Sequence, residues 1–383
     1  MQVLIAPNAF KNSLSAADAA TAIKEGLLQS DLSCECICFP VGDGGDGTAE
    51  LIIQHCKGAV FNAGVNDPFG RKINAEYGLI DNYKTAVIEM ANASGLRLLK
   101  PEEYDPLHAT SFGTGELLKH ALDKKVNKII LCIGGSATVD GAAGILQALG
   151  IRFLNKYGDE LNNLPERMNE LETIDLSGLD KRVLNCKLVV LCDVENILLG
   201  KEGAANVFGP QKGAGLADII KLEVALTRLR DIVMQQTGRD ISTLKHGGAA
   251  GGVAASLSAM LNAELVNGIE NFLSITGFEN ALKNVDLVIT GEGSIDIQTL
   301  QGKGPFGVAK MAKQKGIPVI GLAGKVPLEK SPQLQQYFDV LLSINNEPVD
   351  LAKAMMNTKH NLERTAKEIG NMLAMQLLPQ KKL

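Results

Sequence analysis

The chain contains no tryptophan, and aromatic residues make up only 4% of its 383 residues. It lacks an apolar run long enough to cross a membrane, and its first residues lack the basic start and long apolar stretch of a signal peptide. Its seven cysteines are odd in number and scattered, which does not suit a disulfide framework. We therefore expect a cytoplasmic protein in a reducing compartment that does not bind membranes.

The chain also lacks a long basic run. Its net charge is −5, with 38 Lys and Arg residues against 43 Asp and Glu residues. Proteins that bind nucleic acid usually carry a clustered positive surface, so we expect no nucleic-acid partner. No helix-turn-helix pattern is evident, which disfavours a ligand-binding regulator of transcription. Small molecules are the expected partners.

The sequence also lacks the signature motifs of two kinase families. No GxxxxGK[ST] sequence occurs, and the Gly-rich strand, HRD and DFG sequences of protein kinases are absent. If the chain is a kinase, it uses another fold.

The pattern of apolar segments indicates an α/β protein with two domains. Residues 3–65 alternate strand and helix, which predicts a doubly wound parallel sheet whose third strand is 59–65. Segments 72–80 and 84–90 flank a short turn and predict an antiparallel hairpin. Strands near 286–290, 318–323 and 340–344 and a helix from 351 to 378 then resume the first pattern. We predict a first domain formed by 1–66 and 284–383, with 67–283 inserted as a second α/β domain.

Glycine is abundant, with 40 residues, and much of it lies in loops that also hold carboxylates or hydroxyls. The loops at 134–144 and 290–296 follow apolar strands directly. Open α/β sheets place ligand-binding crevices there, and backbone N–H groups in such loops can hold phosphate oxygens. Turn formation by glycine is the alternative explanation for any one loop.

One glycine loop supports two competing functions. Gly42, Gly44 and Gly47 form a GxGxxG sequence between a strand and a helix, and Asp67 follows about twenty residues later, as in NAD-dependent dehydrogenases. Asp43 and Asp46 lie inside the same loop, where they would repel a pyrophosphate unless a divalent cation lay between them. Carboxylates among glycines therefore favour Mg²⁺-nucleotide chemistry, and a dehydrogenase is the alternative.

Eight blocks spread over nearly the whole chain resemble the type 1 glycerate kinase family in order. Val139, Ile197 and His246 depart from its usual residues. The resemblance implies ATP-dependent phosphorylation of glycerate with Mg²⁺, a flavodoxin-like domain from head and tail, and an inserted domain with a mixed sheet related to restriction endonucleases. The blocks are IAPNAFKNSLSA (5–16), DGGDGT (43–48), EMANASGL (89–96), TSFGTGEL (110–117), IGGSAT (133–138), FGPQKGA (208–214), AAGG (249–252) and ITGEG (289–293).

The resemblance assigns candidate roles to residues within these blocks. A strand-end Asp can accept a hydroxyl proton or hold Mg²⁺, a loop Lys can neutralise a phosphate or a substrate carboxylate, and loop amides can hold phosphate. Helix capping or turn formation is the alternative role for several of them. We predict Asp193, Lys11 and Lys212 as catalytic residues; Gly134, Gly135, Ser136, Thr138, Gly291 and Gly293 as phosphate-binding residues; Glu292, Asp296 and Asp43 as metal ligands; and Asp46, Gly113 and Thr114 as substrate-binding residues.

The product is the least determined part of this hypothesis. The resemblance favours conversion of (R)-glycerate to 2-phosphoglycerate, with 3-phosphoglycerate as the alternative, because the two hydroxyls lie on adjacent carbons. The candidate residues are split between the two predicted domains, so we expect the active site in a cleft between them, with hinges near 66–70 and 280–286. A homodimer is a further possibility.

Overall fold

The computed structural model describes residues 1–329 and 331–377. Its strands are β1 (Gln2–Ile5), β2 (Glu35–Cys38), β3 (Ala59–Asn66), β4 (Lys72–Ile80), β5 (Thr85–Glu89), β6 (Lys128–Cys132), β7 (Arg152–Leu154), β8 (Thr173–Asp175), β9 (Lys187–Cys192), β10 (Glu264–Asn267), β11 (Leu287–Ser294), β12 (Val319–Lys325) and β13 (Val340–Ser343).

The helices connect these strands, and two short 3₁₀ turns (Pro210–Lys212 and Ile297–Gln301) bear on the site. Within the described residues, no helix combines the length and the hydropathy that crossing a bilayer requires. The α-helices are α1 (Ala16–Leu28), α2 (Thr48–His55), α3 (Ala91–Ser94), α4 (Phe112–Asp123), α5 (Ala143–Ala148), α6 (Ala204–Phe208), α7 (Leu216–Thr237), α8 (Ala249–Leu261), α9 (Gly268–Ile275), α10 (Phe278–Ala281), α11 (Gly304–Gln314), α12 (Pro332–Gln335), α13 (Leu351–Met356) and α14 (Thr358–Leu377).

The chain forms two compact units. Unit 1 comprises Met1–Asp43 and Ile269–Leu383, and unit 2 comprises Gly44–Gly268. The division falls inside the DGGDGT loop, so that Asp43 belongs to unit 1 and Asp46 to unit 2. Each unit has a sheet and a hydrophobic core of its own.

Unit 1 contains a five-stranded parallel sheet in the order β13-β12-β11-β1-β2. The tail of the chain thus completes the sheet that the head begins, as the alternation of apolar segments predicts. Helices α1 and α14 pack together on this core through Ile23, Leu27 and Leu362. A Cβ atom at Gly26 would come 2.1 Å from the Glu363 carbonyl oxygen, so only glycine permits this close approach.

Unit 2 contains a six-stranded mixed sheet in the order β10-β9-β6-β5-β4-β3. The pairs β3–β4 and β4–β5 are antiparallel, and the pairs β5–β6, β6–β9 and β9–β10 are parallel. The predicted hairpin is therefore confirmed as β4 and β5. Parallel β5, β6 and β9 bring their carboxyl ends to one edge of this sheet, where the polar loops described below begin.

The prediction for β3 is wrong. It was expected as the third strand of the parallel sheet, but it pairs antiparallel with β4, for example Ala63 with Ala75. A strand after a helix shows the same apolar pattern whichever sheet receives it, so the sequence cannot assign it. The sequence placed the domain boundaries at 66/67 and 283/284, and the division in the structure lies at 43/44 and 268/269.

Two other predicted elements differ from the structure. Residues 290–293, expected as a loop, lie inside β11, where Gly291 pairs with Leu322 of β12. The expected helix from 351 to 378 consists of α13 and α14, separated at Asn357. Its last predicted residue, Leu378, lies outside the described residues.

Candidate functional site

A glycine-rich loop leaves the carboxyl end of β6 in unit 2. Gly134 donates its N–H to the Gly44 carbonyl oxygen at 3.0 Å. A Cβ atom at Gly134 would lie 2.4 Å from the Gly45 Cα atom, and Gly135 has a φ of 69°. Both positions therefore require glycine, and the requirement comes from the turn and from the neighbouring loop.

Several polar groups of this loop have no protein partner. Within the described part of the chain, the N–H groups of Gly135 and Ser136 donate to no backbone or side-chain acceptor. The buried hydroxyl of Thr138 also has no hydrogen-bond partner. Gly135 is exposed, but Ser136 and Thr138 are buried, and buried polar groups in folded proteins are nearly always paired. The unused donors of Ser136 and Thr138 therefore indicate a site for an acceptor-rich ligand.

Lys212 brings a positive charge under this loop. Its side chain is 2% exposed, and its Nζ atom donates to Ser136 Oγ at 2.8 Å and to the Thr138 carbonyl oxygen at 2.7 Å. Burial lowers the pKa of Lys212 to about 7, although the charges of Asp140 and Asp193 act in the opposite direction. Phosphoryl groups are ligands that suit such a cation.

Asp193, predicted as a catalytic residue, follows β9 and is half-buried. Its charge acts on Lys212, which places the two side chains in the same electrostatic environment. The strands β6 and β9 are neighbours in the sheet, and this adjacency brings Asp193 to the edge that also carries the glycine loop.

Asp140 is a buried carboxylate that was not among the predicted site residues. Its side chain accepts hydrogen bonds from Ser111 N, Ser111 Oγ and Gly144 N at 2.8, 2.7 and 3.1 Å. Burial raises its pKa, while these hydrogen bonds act to lower it. Asp140 thus fixes the start of α4 and α5 beneath the loop, and the carboxylate in GGSATVDG was the available signal for it.

Gly113 and Thr114, predicted to bind substrate, lie inside unit 2. Thr114 is fully buried and donates its hydroxyl to Ser94 Oγ at 2.8 Å. A Cβ atom at Gly113 would come 1.8 Å from the Asn66 carbonyl oxygen. Both residues hold α4 against its neighbours.

Asp46 lies in a second carboxylate cluster, with Glu89 at the end of β5. Glu89 is buried and accepts the N–H groups of Gly47 and Ala49 at 2.7 and 3.1 Å. Burial first, and then its hydrogen bond to Asp46, raise the pKa of Glu89 to about 8. Arg97 lies 3.0 Å from Asp46 and 3.7 Å from Glu89. Glu89 was not among the predicted site residues, and its place as the first residue of the EMANASGL block was the available signal for it.

The predicted metal ligands lie in unit 1. Asp43 accepts a hydrogen bond from Asn8 Nδ2 at 2.8 Å. Glu292 is 8% exposed and accepts from Thr299 Oγ1 at 3.2 Å. Burial, and then the charge of Asp43, raise the pKa of Glu292 to about 7, while nearby Lys303 and Lys11 act to lower it. Asp43 and Glu292 therefore form a buried carboxylate pair.

Asp296, the third predicted metal ligand, also lies in unit 1. Its side chain accepts the N–H of Gln298 at 2.9 Å and so caps the 3₁₀ turn Ile297–Gln301. In residues 1–329 and 331–377, no group of three or more His, Cys, Asp or Glu side chains is placed to hold a metal ion. Any cation here would rest on two carboxylates.

The two glycines predicted in unit 1 have different surroundings. A Cβ atom at Gly291 would come 2.2 Å from the Leu322 carbonyl oxygen, which makes this glycine a requirement of the β11–β12 pairing. A Cβ atom at Gly293 would have ordinary contact with the Lys11 backbone N at 3.9 Å. Lys11 itself is exposed, and its charge reaches Glu292.

Proteins of known family resemble this chain over nearly its full length. The model of the glycerate kinase family matches residues 3–374. Glycerate kinase of Halalkalibacterium halodurans is 42% identical over 96% of this chain and 97% of its own. Glycerate 2-kinase of Escherichia coli K12 is 42% identical over 98% of each chain. The crystal structure of a candidate glycerate kinase 2 from Salmonella typhimurium LT2 is 44% identical, with a TM-score of 0.81 over 99% of this chain and 100% of that chain.

These matches establish the class first: the chain is a kinase, an enzyme that transfers phosphoryl groups. Within that class, the chain belongs to the glycerate kinase family.

Proposed function

We propose that this kinase converts (R)-glycerate to 2-phosphoglycerate. Support for the position of transfer comes from a relative named glycerate 2-kinase that is 42% identical over 98% of this chain. The alternative product is 3-phosphoglycerate. The observation that carries the chemistry is the buried Lys212, whose Nζ atom lies 2.8 Å from Ser136 Oγ beneath a loop with unused N–H donors.

The glycine loop of unit 2 would bind the phosphates. Two adjacent amides and the hydroxyls of Ser136 and Thr138 can each interact with phosphate oxygens, and Lys212 supplies positive charge in a region that excludes water. Charge spreads over the phosphate oxygens in the transition state, so fixed donors and a buried cation stabilise it strongly.

Asp193 is our candidate for the base. In the proposed step it accepts the proton of the glycerate C2 hydroxyl, the C2 oxygen bonds to the γ-phosphorus, and the bond between that phosphorus and the bridging oxygen breaks. ADP leaves with the electron pair of that bond. A base positioned in this way contributes about 10²–10⁴-fold to the rate.

The carboxylate pair of unit 1 fits a magnesium ion. Mg²⁺ in kinases commonly rests on one or two carboxylates together with substrate phosphates. Asp43 and Glu292 are two such carboxylates. Burial first, and then the charge of Asp43, raise the pKa of Glu292, and a divalent cation would relieve the repulsion between the two groups. When bound, the ion would neutralise charge on the nucleotide.

One assay tests the proposed function. The full chain is incubated with ATP, Mg²⁺ and (R)-glycerate, and ³¹P NMR identifies the product. A phosphorus signal coupled to the C2 proton supports the proposal, and a signal coupled to the C3 protons supports the alternative product. Absence of ATP consumption with glycerate would overturn it.

Tight binding of NADH in calorimetry would instead favour a dehydrogenase that binds NAD through the Gly42–Gly47 loop. A homodimer and a cytoplasmic location stay predictions from the sequence.

A further inference from the structure

A cavity of about 710 Å³ in unit 2 has no role in the site described so far. It is lined by Phe69 and Arg71 on one side, by residues of the segment 102–108 on another, and by Gly213 and Asp218. Pockets that bind small molecules usually measure about 300–1,000 Å³. The cavity is therefore large enough for a ligand such as a nucleoside.

The charge of the lining restricts which part of a ligand can enter. Carboxylates line the cavity at Glu102, Glu103, Asp105 and Asp218. The cation in the lining, Arg71, already forms ion pairs with Asp67 and with Glu103, the latter at 2.6 Å.

The histidine of the lining is engaged in the same way. His108 Nδ1 lies 2.7 Å from Asp105 and Nε2 lies 3.3 Å from Glu166, and the hydrogen bond to Asp105 raises its pKa. With these cations paired, the surplus of carboxylates repels a phosphate or a carboxylate group. An anionic group of the occupant is therefore excluded from contact with the cavity.

Aromatic side chains give the cavity a surface for a flat ring. Phe69 and Tyr104 are both half-buried and both line it. The Phe69 ring lies 5.9 Å from the Arg71 guanidinium carbon, so one of its faces is engaged and its position is fixed. Partly exposed aromatic rings in a pocket commonly bind nucleobases by stacking. Every nucleobase has a flat π face, so this contact does not depend on which base is bound.

The cavity lies next to Lys212 along the chain. Gly213, which lines the cavity, directly follows Lys212, whose ammonium group lies under that loop. Gly213 has a φ of 100°, and a Cβ atom there would come 2.3 Å from the Tyr104 carbonyl oxygen. The segment that holds Tyr104 is thus packed directly on the turn that holds Lys212.

We propose that this cavity holds the nucleoside of the phosphoryl donor. The base stacks on Phe69 and Tyr104, the ribose hydroxyls donate to lining carboxylates, as ribose hydroxyls do to acidic residues in dinucleotide folds, and the phosphates extend toward Lys212. Glycerate is excluded from the cavity because it carries a carboxylate. This inference rests on the proposed function, since it assigns the binding site of its ATP.

Kinetics of the full chain test the proposal. Phe69→Leu and Tyr104→Leu remove stacking surface but remain apolar. We expect each to raise KM for ATP about tenfold, the size typical of losing one base–aromatic contact, and to leave KM for glycerate within about twofold. The matched control is Tyr157→Leu, which changes a tyrosine that is 77% exposed and absent from the cavity lining, and which should change neither constant.

A second measurement needs no variant. With wild-type protein, 2′,3′-dideoxy-ATP lacks the ribose hydroxyls, and we expect its KM to exceed that of ATP about tenfold. Saturation-transfer NMR with adenosine alone should also show binding that Phe69→Leu abolishes. If wild-type protein does not phosphorylate glycerate, the proposed function fails, while the adenosine signal still tests the cavity.

Three outcomes would overturn the inference: an increase in KM for glycerate with ATP unaffected, equal KM values for ATP and the dideoxy analogue together with no effect of either variant, or adenosine binding that both variants leave intact. Circular dichroism shows whether each variant folds. If a variant does not fold, the measurements with dideoxy-ATP and adenosine on wild-type protein decide the test.

Discussion

Lys212 is a cation buried beneath a loop rich in unused hydrogen-bond donors, and its pKa of about 7 means that it exchanges a proton near neutral pH. A bound anion favours its charged form. By linkage, an anion that binds near Lys212 must raise this pKa and draw a proton from solution. The residues whose charges act on it are Asp140 and Asp193, both acidic.

The first prediction follows from that linkage. At pH 8, where phosphates are fully ionised, ATP binding without a divalent cation should be accompanied by uptake of up to about one proton. Calorimetry in buffers of different ionisation enthalpy measures this number. Lys212→Arg keeps a charge that does not titrate in this range, so its proton uptake should fall toward zero. Equal uptake by wild type and variant would contradict the assignment.

The second prediction concerns Asp193. Asp193→Asn should reduce kcat by about 10² or more, because an amide cannot accept the hydroxyl proton. The KM for glycerate should change little, and the thermal midpoint should stay near that of wild type. Asp231→Asn, which removes an exposed carboxylate on α7 of the same unit, serves as a matched control and should retain full kcat. Comparable activity of Asp193→Asn and wild type would rule out the base role.

At the scale of elements, β11 illustrates how one glycine decides the pairing of two strands. A Cβ atom at Gly291 would lie 2.2 Å from the Leu322 carbonyl oxygen, and that atom belongs to backbone that cannot move independently of the sheet. The carboxylate of Glu292 is carried by the next residue. The strand pairing therefore sets both the stability of this region and the position of Glu292.

The third prediction tests this pairing. Gly291→Ala should lower the free energy of unfolding by about 1–3 kcal/mol, the usual cost of forcing extra volume into a packed site. Gly64→Ala in β3 is the matched control, since a Cβ atom there would contact nothing within 4 Å. Thermal denaturation followed by circular dichroism compares the two variants. If Gly64→Ala lowers the free energy of unfolding as much as Gly291→Ala does, the loss of stability comes from removing a glycine and not from the contact with Leu322.

The sequence predicts the positions of strands and helices more accurately than it predicts which strands pair. Ser15 is a typical N-cap residue at the start of α1, where its Oγ accepts the N–H of Asp18 at 3.1 Å. Apolar alternation correctly predicted β4 and β5. The sheet that receives β3 depends on long-range pairing, which leaves no mark on a short apolar segment. Likewise, nothing in the sequence alone distinguishes Asp296, which caps a turn, from Asp43, which accepts from Asn8.

Candidate residues within the site show the same limit. The GGSAT and FGPQKGA blocks identified the glycine loop and Lys212, which the structure joins by a 2.8 Å hydrogen bond. Thr114 occupies an equally suggestive block yet is fully buried. Burial of a small polar residue depends on the packing of helices around it, so its motif alone could not separate a structural role from a binding role.

At the scale of the whole molecule, the predicted requirement for a divalent cation is tested by its removal. Excess EDTA should abolish glycerate phosphorylation, and added Mg²⁺ should restore it. Glu292→Gln should raise the Mg²⁺ concentration needed for half-maximal activity, whereas Glu279→Gln, an exposed ion-pair residue of unit 1, should not. Full activity in EDTA would contradict the requirement.

The concentration of Mg²⁺ that the enzyme needs should depend on pH. Because the pKa of Glu292 is raised to about 7, the group is mostly protonated at pH 6 and mostly ionised at pH 8. A cation must displace that proton at pH 6, so the half-maximal Mg²⁺ concentration should rise as pH falls from 8 to 6. Glu292→Gln should flatten this dependence. A wild-type profile as flat as that of the variant would exclude Glu292 as a ligand.

The division of the chain after Asp43 also sets an order of events on the ribosome. Strands β1 and β2 are synthesised early, but β1 lies between β2 and β11, and β11 begins at Leu287. At translation rates of about 5–20 residues per second, the roughly 250 residues between β2 and β11 take on the order of 10–50 s. During that interval unit 2 can be completed and fold, while one edge of β1 waits for its partner. The nascent chain therefore exposes an unpaired apolar strand for seconds, and this is the stage at which chaperones would protect it from aggregation.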